Sequence, residues 1–314
     1  MKILIAGGSG SLGRALAADL SGRGHEVVVL TRSPGRVGYG SAVVRELRWD
    51  GRTVGPWAAE LRTTADGGVA VVNLAGKLVD CRPTRANIAA LRDSRVRATR
   101  ALVQASRGLD EPVARWVQAS TTAIYSDAGD QPLTESSPVP ADGLPQMTGV
   151  AQPWEEAASG ANTDHLVLLR TSVVLDAHTP ALDRLMLLVR LGVGGTVGHG
   201  RQWFSWIHVA DWLRIVRAAL GLEPGVDLPP GPVIAASDRP VRNSEMMAGL
   251  RRAAGRSVGI PTPAPLVHLG SVLLRTDPLL ALTGRHTTSE VLAERAWEFR
   301  YPTFGAALAE VTSR

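Results

Sequence analysis

A glycine-punctuated turn constrains this chain more than any other feature. Residues 3–13 read ILIAGGSGSLG, with Gly7, Gly10 and Gly13 placed between an apolar run and an amphipathic segment. Gly7 permits a tight turn, Gly10 lets backbone come close to a ligand, and Gly13 lets a helix pack against the sheet. The free N–H groups at such a helix start, here Ser9 and Gly10 to Gly13 with Ser11 and Leu12 between, favour an anion. A turn that follows a strand and opens a helix is a phosphate cradle, and it commits the chain to a strand–helix–strand plan.

The rest of the first half keeps that plan. Short apolar runs at 3–6, 27–30, 69–74, 115–119 and 166–169 read as buried strands, and PVIAAS at 232–237 reads as another. Leu12, Leu16 and Leu20 mark one apolar helix face, and helical patterns recur at 84–107, 243–254 and 289–297. Such alternation implies an α/β fold with a parallel sheet covered on both faces. Residues 126–149, rich in Asp, Pro, Gly, Ser and Thr, read as a long loop of the kind that covers active sites.

Adenosine recognition is read at the end of the second strand. There VVVL runs into Thr31, Arg32 and Ser33, where dinucleotide binders of the non-phosphorylated kind carry a carboxylate. A guanidinium takes a 2′-phosphate through paired donors, so the reading is NADP(H), with Arg32 as a solvated loop residue the alternative.

Composition excludes several classes. A net charge of +5 spread along 314 residues gives no basic tract, so no nucleic-acid partner is expected. Cys81 is the single cysteine, which suits a reducing compartment and a cytoplasmic location. No secretory signal and no stretch of about 20 apolar residues is present, so no membrane partner is expected. His199 and His208 share no ligand-like spacing with a third metal-binding residue, so no metal is expected. Trp203, Phe204, Trp206 and Trp212 cluster in ten residues and fit either an aromatic-lined pocket or core packing, with Trp203 the better pocket candidate.

On GGSGSLG at 7–13, NLAG at 73–76, ASTTAIY at 119–125, LLRTSVVL at 168–175, GHGRQWFSWIHVAD at 198–211 and FRYPTFGAAL at 299–308, the chain resembles the extended and atypical short-chain dehydrogenases. Within them it looks like the epimerase-family proteins with a DUF1731-type C-terminal segment. The resemblance implies a Rossmann-type doubly wound parallel sheet with a smaller C-terminal substrate lobe. It implies a nucleotide-binding domain over residues 1–170, to which 205–237 return, and a lobe from 171–204 and 238–314. It also implies that Asn73, Leu74, Ala75 and Gly76 lie beside the cofactor. Ala119, Ser120, Arg170, Ser172 and Val173 would line its nicotinamide side, and Thr121 would polarise a substrate carbonyl. The helix at 84–107 corresponds to one that often builds dimers, and a monomer or homodimer is expected.

One departure is plain. The family's Tyr-x-x-x-Lys pair is absent. Four residues beyond Tyr39, Tyr125 and Tyr301 stand Val43, Gly129 and Gly305. Lys2 and Lys77 are the only lysines, and Pro145 and Gly149 fall near the vacant positions. Tyr125 and Lys77 are the candidate substitutes, with Cys81 and Asp80 behind them. Three functions stay open: an NADPH-dependent oxidoreductase for a small carbonyl or enone metabolite, a redox-silent epimerase, lyase or cyclase, and a nucleotide-binding module without catalysis.

Overall fold

The computed structural model describes residues 1–62, 68–177 and 179–313. Its centre is a seven-stranded, wholly parallel sheet. The strands are β1 (Lys2–Ala6), β2 (Glu26–Thr31), β3 (Arg45–Arg48), β4 (Val69–Asn73), β5 (Arg115–Thr121), β6 (Leu166–Thr171) and β7 (Gly231–Ala235), in the order β7-β6-β5-β4-β1-β2-β3. The chain leaves β1 in one direction for β2 and β3, then crosses back to place β4 on the other side of β1. A crevice opens at the carboxyl ends of the strands where such an order reverses.

Alternate strand residues feed two cores. Ile3, Ile5, Val27, Val29, Ala70 and Val72 pack on one face against α1 (Ser11–Gly22) and α5 (Val209–Ala219). Leu4, Ala6, Val28, Leu30, Val69 and Val71 pack on the other against α2 (Arg85–Arg107). The period-2 alternation with both faces apolar explains why these strands read as continuous hydrophobic runs. Thr84 caps α2 by accepting from the Asn87 N–H, and α3 (Thr148–Glu156) packs beside α2 and β5.

A third core lies outside the sheet. It joins α4 (Pro180–Arg190), α6 (Asn243–Ala253) and α8 (Phe304–Ser313) through Leu182, Met186, Val189, Met246, Met247, Leu250, Phe304 and Leu308. α4 lies outside the helical patterns read from the sequence. A further helix, α7 (Ala264–Leu274), lies on the surface with Leu266, Leu269 and Leu273 exposed. Among the described residues, no helix is long and apolar enough to cross a membrane.

The loop at 126–149 is tied to the C-terminal segment rather than free. Pro132–Leu133 pair in parallel with His286–Thr287. The Glu135 carboxylate accepts from Ile234 N–H (2.8 Å), Ser289 Oγ (2.5 Å) and Glu290 N–H (2.8 Å).

Candidate active site

The glycine turn is built by steric necessity. Gly7 adopts φ +81°, and a Cβ there would stand 2.8 Å from the carbonyl carbon and oxygen of Leu74 and 2.9 Å from Ala75 N. The turns after β1 and β4 therefore touch backbone to backbone. A Cβ on Gly13 would stand 2.5 Å from Gly7 O and 2.6 Å from Gly8 Cα, so α1 presses directly on the turn. Gly10 is different: a Cβ there would meet nothing nearer than Gly7 O at 3.5 Å. Gly10 is also the N-cap of α1 and offers no side-chain cap, which leaves the first N–H groups of the helix to a ligand.

A crevice of about 670 Å³ opens on this turn. Gly7, Ser9, Gly10, Thr31, Arg32, Leu74, Ala75, Gly76 and Lys77 line it together, while Ser11, Leu12 and Gly13 begin the helix at its floor. Ser33 lies one residue beyond and donates its N–H to Thr31 Oγ1 (3.3 Å). Asn73 is fully buried and does not face the crevice. Its amide donates to Thr99 Oγ1 (2.9 Å) and Gln118 Oε1 (3.0 Å), and its Oδ1 accepts from Ala75 N–H (3.1 Å), so it fixes the turn from below.

The far wall was not legible in the sequence. Trp49, Asp50, Gly51 and Arg52 follow β3 and complete the end of the crevice where Arg32 stands. Both Asp50 oxygens are engaged: Oδ1 accepts from Arg52 and Thr53 N–H, and Oδ2 from Thr53 Oγ1. Those bonds hold the carboxyl below its usual range. Arg32 and Arg52 are exposed, and among the described residues neither has a carboxylate within ion-pair distance. β3 escaped notice because its RELR residues form a charged edge, with Arg45 paired to Glu60 and Glu26.

The residues expected at the other end lie around the carboxyl ends of β5 and β6, outside that crevice. Most of their polar atoms are already committed. The Ser120 hydroxyl donates to Glu155 Oε1 (2.5 Å), and Glu155 holds Arg170 through two bonds of 2.9 Å. Arg170 Nη1 donates to the Tyr125 hydroxyl (2.6 Å), whose own proton goes to the Thr134 carbonyl (2.7 Å). Burial raises the Tyr125 pKa, with the Arg170 guanidinium opposing it. Ser172 Oγ donates to Ala235 O (2.9 Å), Ala119 is buried within β5, and Val173 is half exposed. Thr121 differs. Its oxygen accepts from Ala123 N–H (3.2 Å), and its own proton has no acceptor among the described residues.

Two guanidinium groups missed by the sequence reading flank α3. Arg95 lies on α2 among several arginines, and Arg285 lies in the C-terminal segment. Arg285 donates to Ser126 O (2.7 Å), Thr283 Oγ1 (3.3 Å) and Met147 Sδ, and burial lowers its pKa to about 10. Ser126 and Thr283 also line a second cavity of about 570 Å³ between the 126–149 loop and Leu279. Lys77 is exposed, its backbone held by Ser94 Oγ and Arg95.

The tryptophan cluster divides. Trp206 and Trp212 are fully buried, and Phe204 packs edge-on to Phe304. Trp203 stacks on His286 at 4.0 Å, with Arg242 over its ring at 3.8 Å and Asp130 on its Nε1. His208 is buried against Glu310, and no metal-binding group of side chains occurs among the described residues.

Comparison with known proteins gives concordant findings. The NAD dependent epimerase/dehydratase family matches residues 3–226. The epimerase family protein SDR39U1 of Bos taurus is 30% identical over 315 residues, covering 99% of each chain. An epimerase family protein of Mycobacterium bovis is 31% identical, covering 99% of this chain and 98% of its own. The crystal structure of human SDR39U1 (isoform 2) with NADPH superposes with a TM-score of 0.83, at 29% identity and full coverage of both chains.

Proposed function

The chain belongs to the NAD dependent epimerase/dehydratase family, and from that premise we propose that it is an NADP(H)-dependent oxidoreductase acting on a small carbonyl or enone metabolite. The observation that carries the reading is the crevice itself. Its glycine turn leaves an open side at Gly10, and its adenosine end offers two guanidiniums that have no carboxylate partner among the described residues. The NADPH held by human SDR39U1 supports the same reading.

In this proposal the N–H groups of Ser11, Leu12 and Gly13 bind the pyrophosphate. Arg32 and Arg52 take the 2′-phosphate, with Thr31 and Ser33 adding donors. Leu74, Ala75 and Gly76 wall the dinucleotide, and the Lys77 ammonium reaches a phosphate oxygen. When bound, the nicotinamide supplies hydride-transfer chemistry. Thr121, whose hydroxyl proton has no acceptor among the described residues, donates to the substrate carbonyl oxygen and polarises it, and water supplies the proton that the alkoxide left by hydride addition takes up. Tyr125 acts as a positioning residue, because its proton and one lone pair are already in use. The 570 Å³ cavity beside Arg285 is the substrate chamber, with the 126–149 loop as its roof.

The test is loss of NADPH absorbance against a panel of small aldehydes, ketones and enones. Thr121→Val is expected to lower kcat by about 10²-fold with NADPH affinity unchanged. Substrate conversion at constant NADPH absorbance would turn the assignment to the redox-silent alternative.

A further inference from the structure

We propose that Arg95 is a fixed cation that makes this site prefer the reduced, uncharged nicotinamide over its oxidised, cationic form. The inference rests on the crevice being the NADP(H) site, and it adds a selection of oxidation state.

Arg95 occupies a defined place. Its Nη1 donates to Lys77 O (3.0 Å) and Leu91 O (3.1 Å), and its Cζ stands 4.9 Å from the centre of the Trp154 ring. A Cβ on Gly76 would lie 3.0 Å from that Cζ, so the absence of a side chain at Gly76 lets the guanidinium sit against the turn that walls the crevice. The group thus lies between the turn after β4 and the helix that follows β5. That is the opposite side of β1 from Arg32 and Arg52. A dinucleotide with its 2′-phosphate at those arginines, crossing the strand ends, carries its nicotinamide half toward Arg95.

The charge is not neutralised locally. Among the described residues no carboxylate pairs with Arg95, and the acids around it are engaged elsewhere. Glu155, one residue beyond Trp154, holds Arg170; Asp93 holds Arg97; Asp80 holds Arg184. Burial brings the guanidinium pKa down to about 10, so it is charged at neutral pH. Among the described residues the buried Trp154 Nε1–H also has no acceptor. The guanidinium, with no carboxylate pairing it among the described residues, is the source of positive potential here. Oxidised nicotinamide carries a unit positive charge on its ring, and hydride addition removes it. A guanidinium set directly behind the Gly76 turn, which lines the crevice, therefore opposes binding of the oxidised form alone.

The experiment measures dissociation constants for NADPH and NADP⁺ by calorimetry with the full-length wild type, Arg95→Gln and Arg95→Lys. Wild type is expected to bind NADPH at least about tenfold more tightly, a difference of about 1.4 kcal/mol. Arg95→Gln is expected to narrow the ratio about tenfold, chiefly through tighter NADP⁺, and Arg95→Lys to preserve it. A wild-type ratio near one overturns the inference without recourse to any variant. So does a ratio that Arg95→Gln leaves unchanged while both nucleotides bind. Binding of neither nucleotide by wild type removes the crevice reading as well, which separates the two failures.

Discussion

Gly10 and Gly13 stand three residues apart in one turn, and replacing each with alanine separates the fold's requirement from the ligand's. At Gly13 an added Cβ meets backbone, 2.5 Å from Gly7 O and 2.6 Å from Gly8 Cα, and neither atom belongs to a flexible side chain. Overpacking of this kind costs about 1–3 kcal/mol, against about 1 kcal/mol recovered from the better helix propensity of alanine. Gly13→Ala is therefore expected to lose up to about 2 kcal/mol, read as a fall in Tm of a few degrees. At Gly10 the backbone is extended (φ −72°, ψ 167°), and the nearest neighbour to the new Cβ is 3.5 Å away. Gly10→Ala is expected to hold stability within about 0.5 kcal/mol. The methyl group would enter the space where backbone must approach a diphosphate, so NADPH affinity is expected to fall at least about tenfold. Thermal unfolding without ligand and calorimetry with NADPH read the two quantities separately. A Gly10→Ala protein that binds NADPH like wild type refutes the cradle, and one that unfolds as early as Gly13→Ala refutes the steric argument.

Arg32→Ala and Arg52→Ala should each weaken NADPH by about tenfold or more and leave NADH nearly unchanged, as lost charge-assisted bonds to the 2′-phosphate require; parallel titrations of the two nucleotides check this. Glu155→Gln leaves the buried Arg170 without its partner, the two side chains being 10% and 8% exposed, and should cost about 3 kcal/mol in urea unfolding. Glu60 is held at about 2 by its bonds to Arg45 and then Lys2. Its folded pKa is depressed, so its stabilisation is complete above the unfolded value near 4.5 and is lost as pH falls toward 2. Glu60→Gln should flatten the fall of stability over that window, measured by unfolding at stepped pH.

The sheet was legible because its interior strands are buried on both faces and most of their residues are apolar, with polar ones such as Asn73 and Arg170 gathered toward the carboxyl ends. β3 was not, since an edge strand with solvated arginines and a glutamate has no apolar signature, and Trp49 to Arg52 were hidden with it. The start of α2 could be read from apolar periodicity, but its inward cation could not: Arg95 is one of many arginines on that helix, and only the docking of α3 against α2 buries it. Arg170 shows the same limit in reverse. Its place near the carboxyl end of a buried strand points to the cofactor, yet its direction depends on Glu155, which arrives from a helix 15 residues earlier.

The polar groups at the strand ends fall into two kinds, and the division bears on how the fold works without the Tyr-Lys pair. Ser120, Glu155, Arg170 and Tyr125 form a closed, internally neutral chain that joins β5, α3 and β6. Every member is satisfied, and such a network rigidifies its surroundings while leaving little for a ligand. Arg32, Arg52, Lys77, Arg95 and Arg285 are the other kind: cations that, among the described residues, lack a carboxylate partner and stand around the two cavities. Leaving charge unpaired near a partly desolvated cleft costs stability. A bound polyanion offsets that cost only when present, so ligand binding and folding are coupled here. Raising NADPH to 100 times its Kd should add about 2.7 kcal/mol of stability.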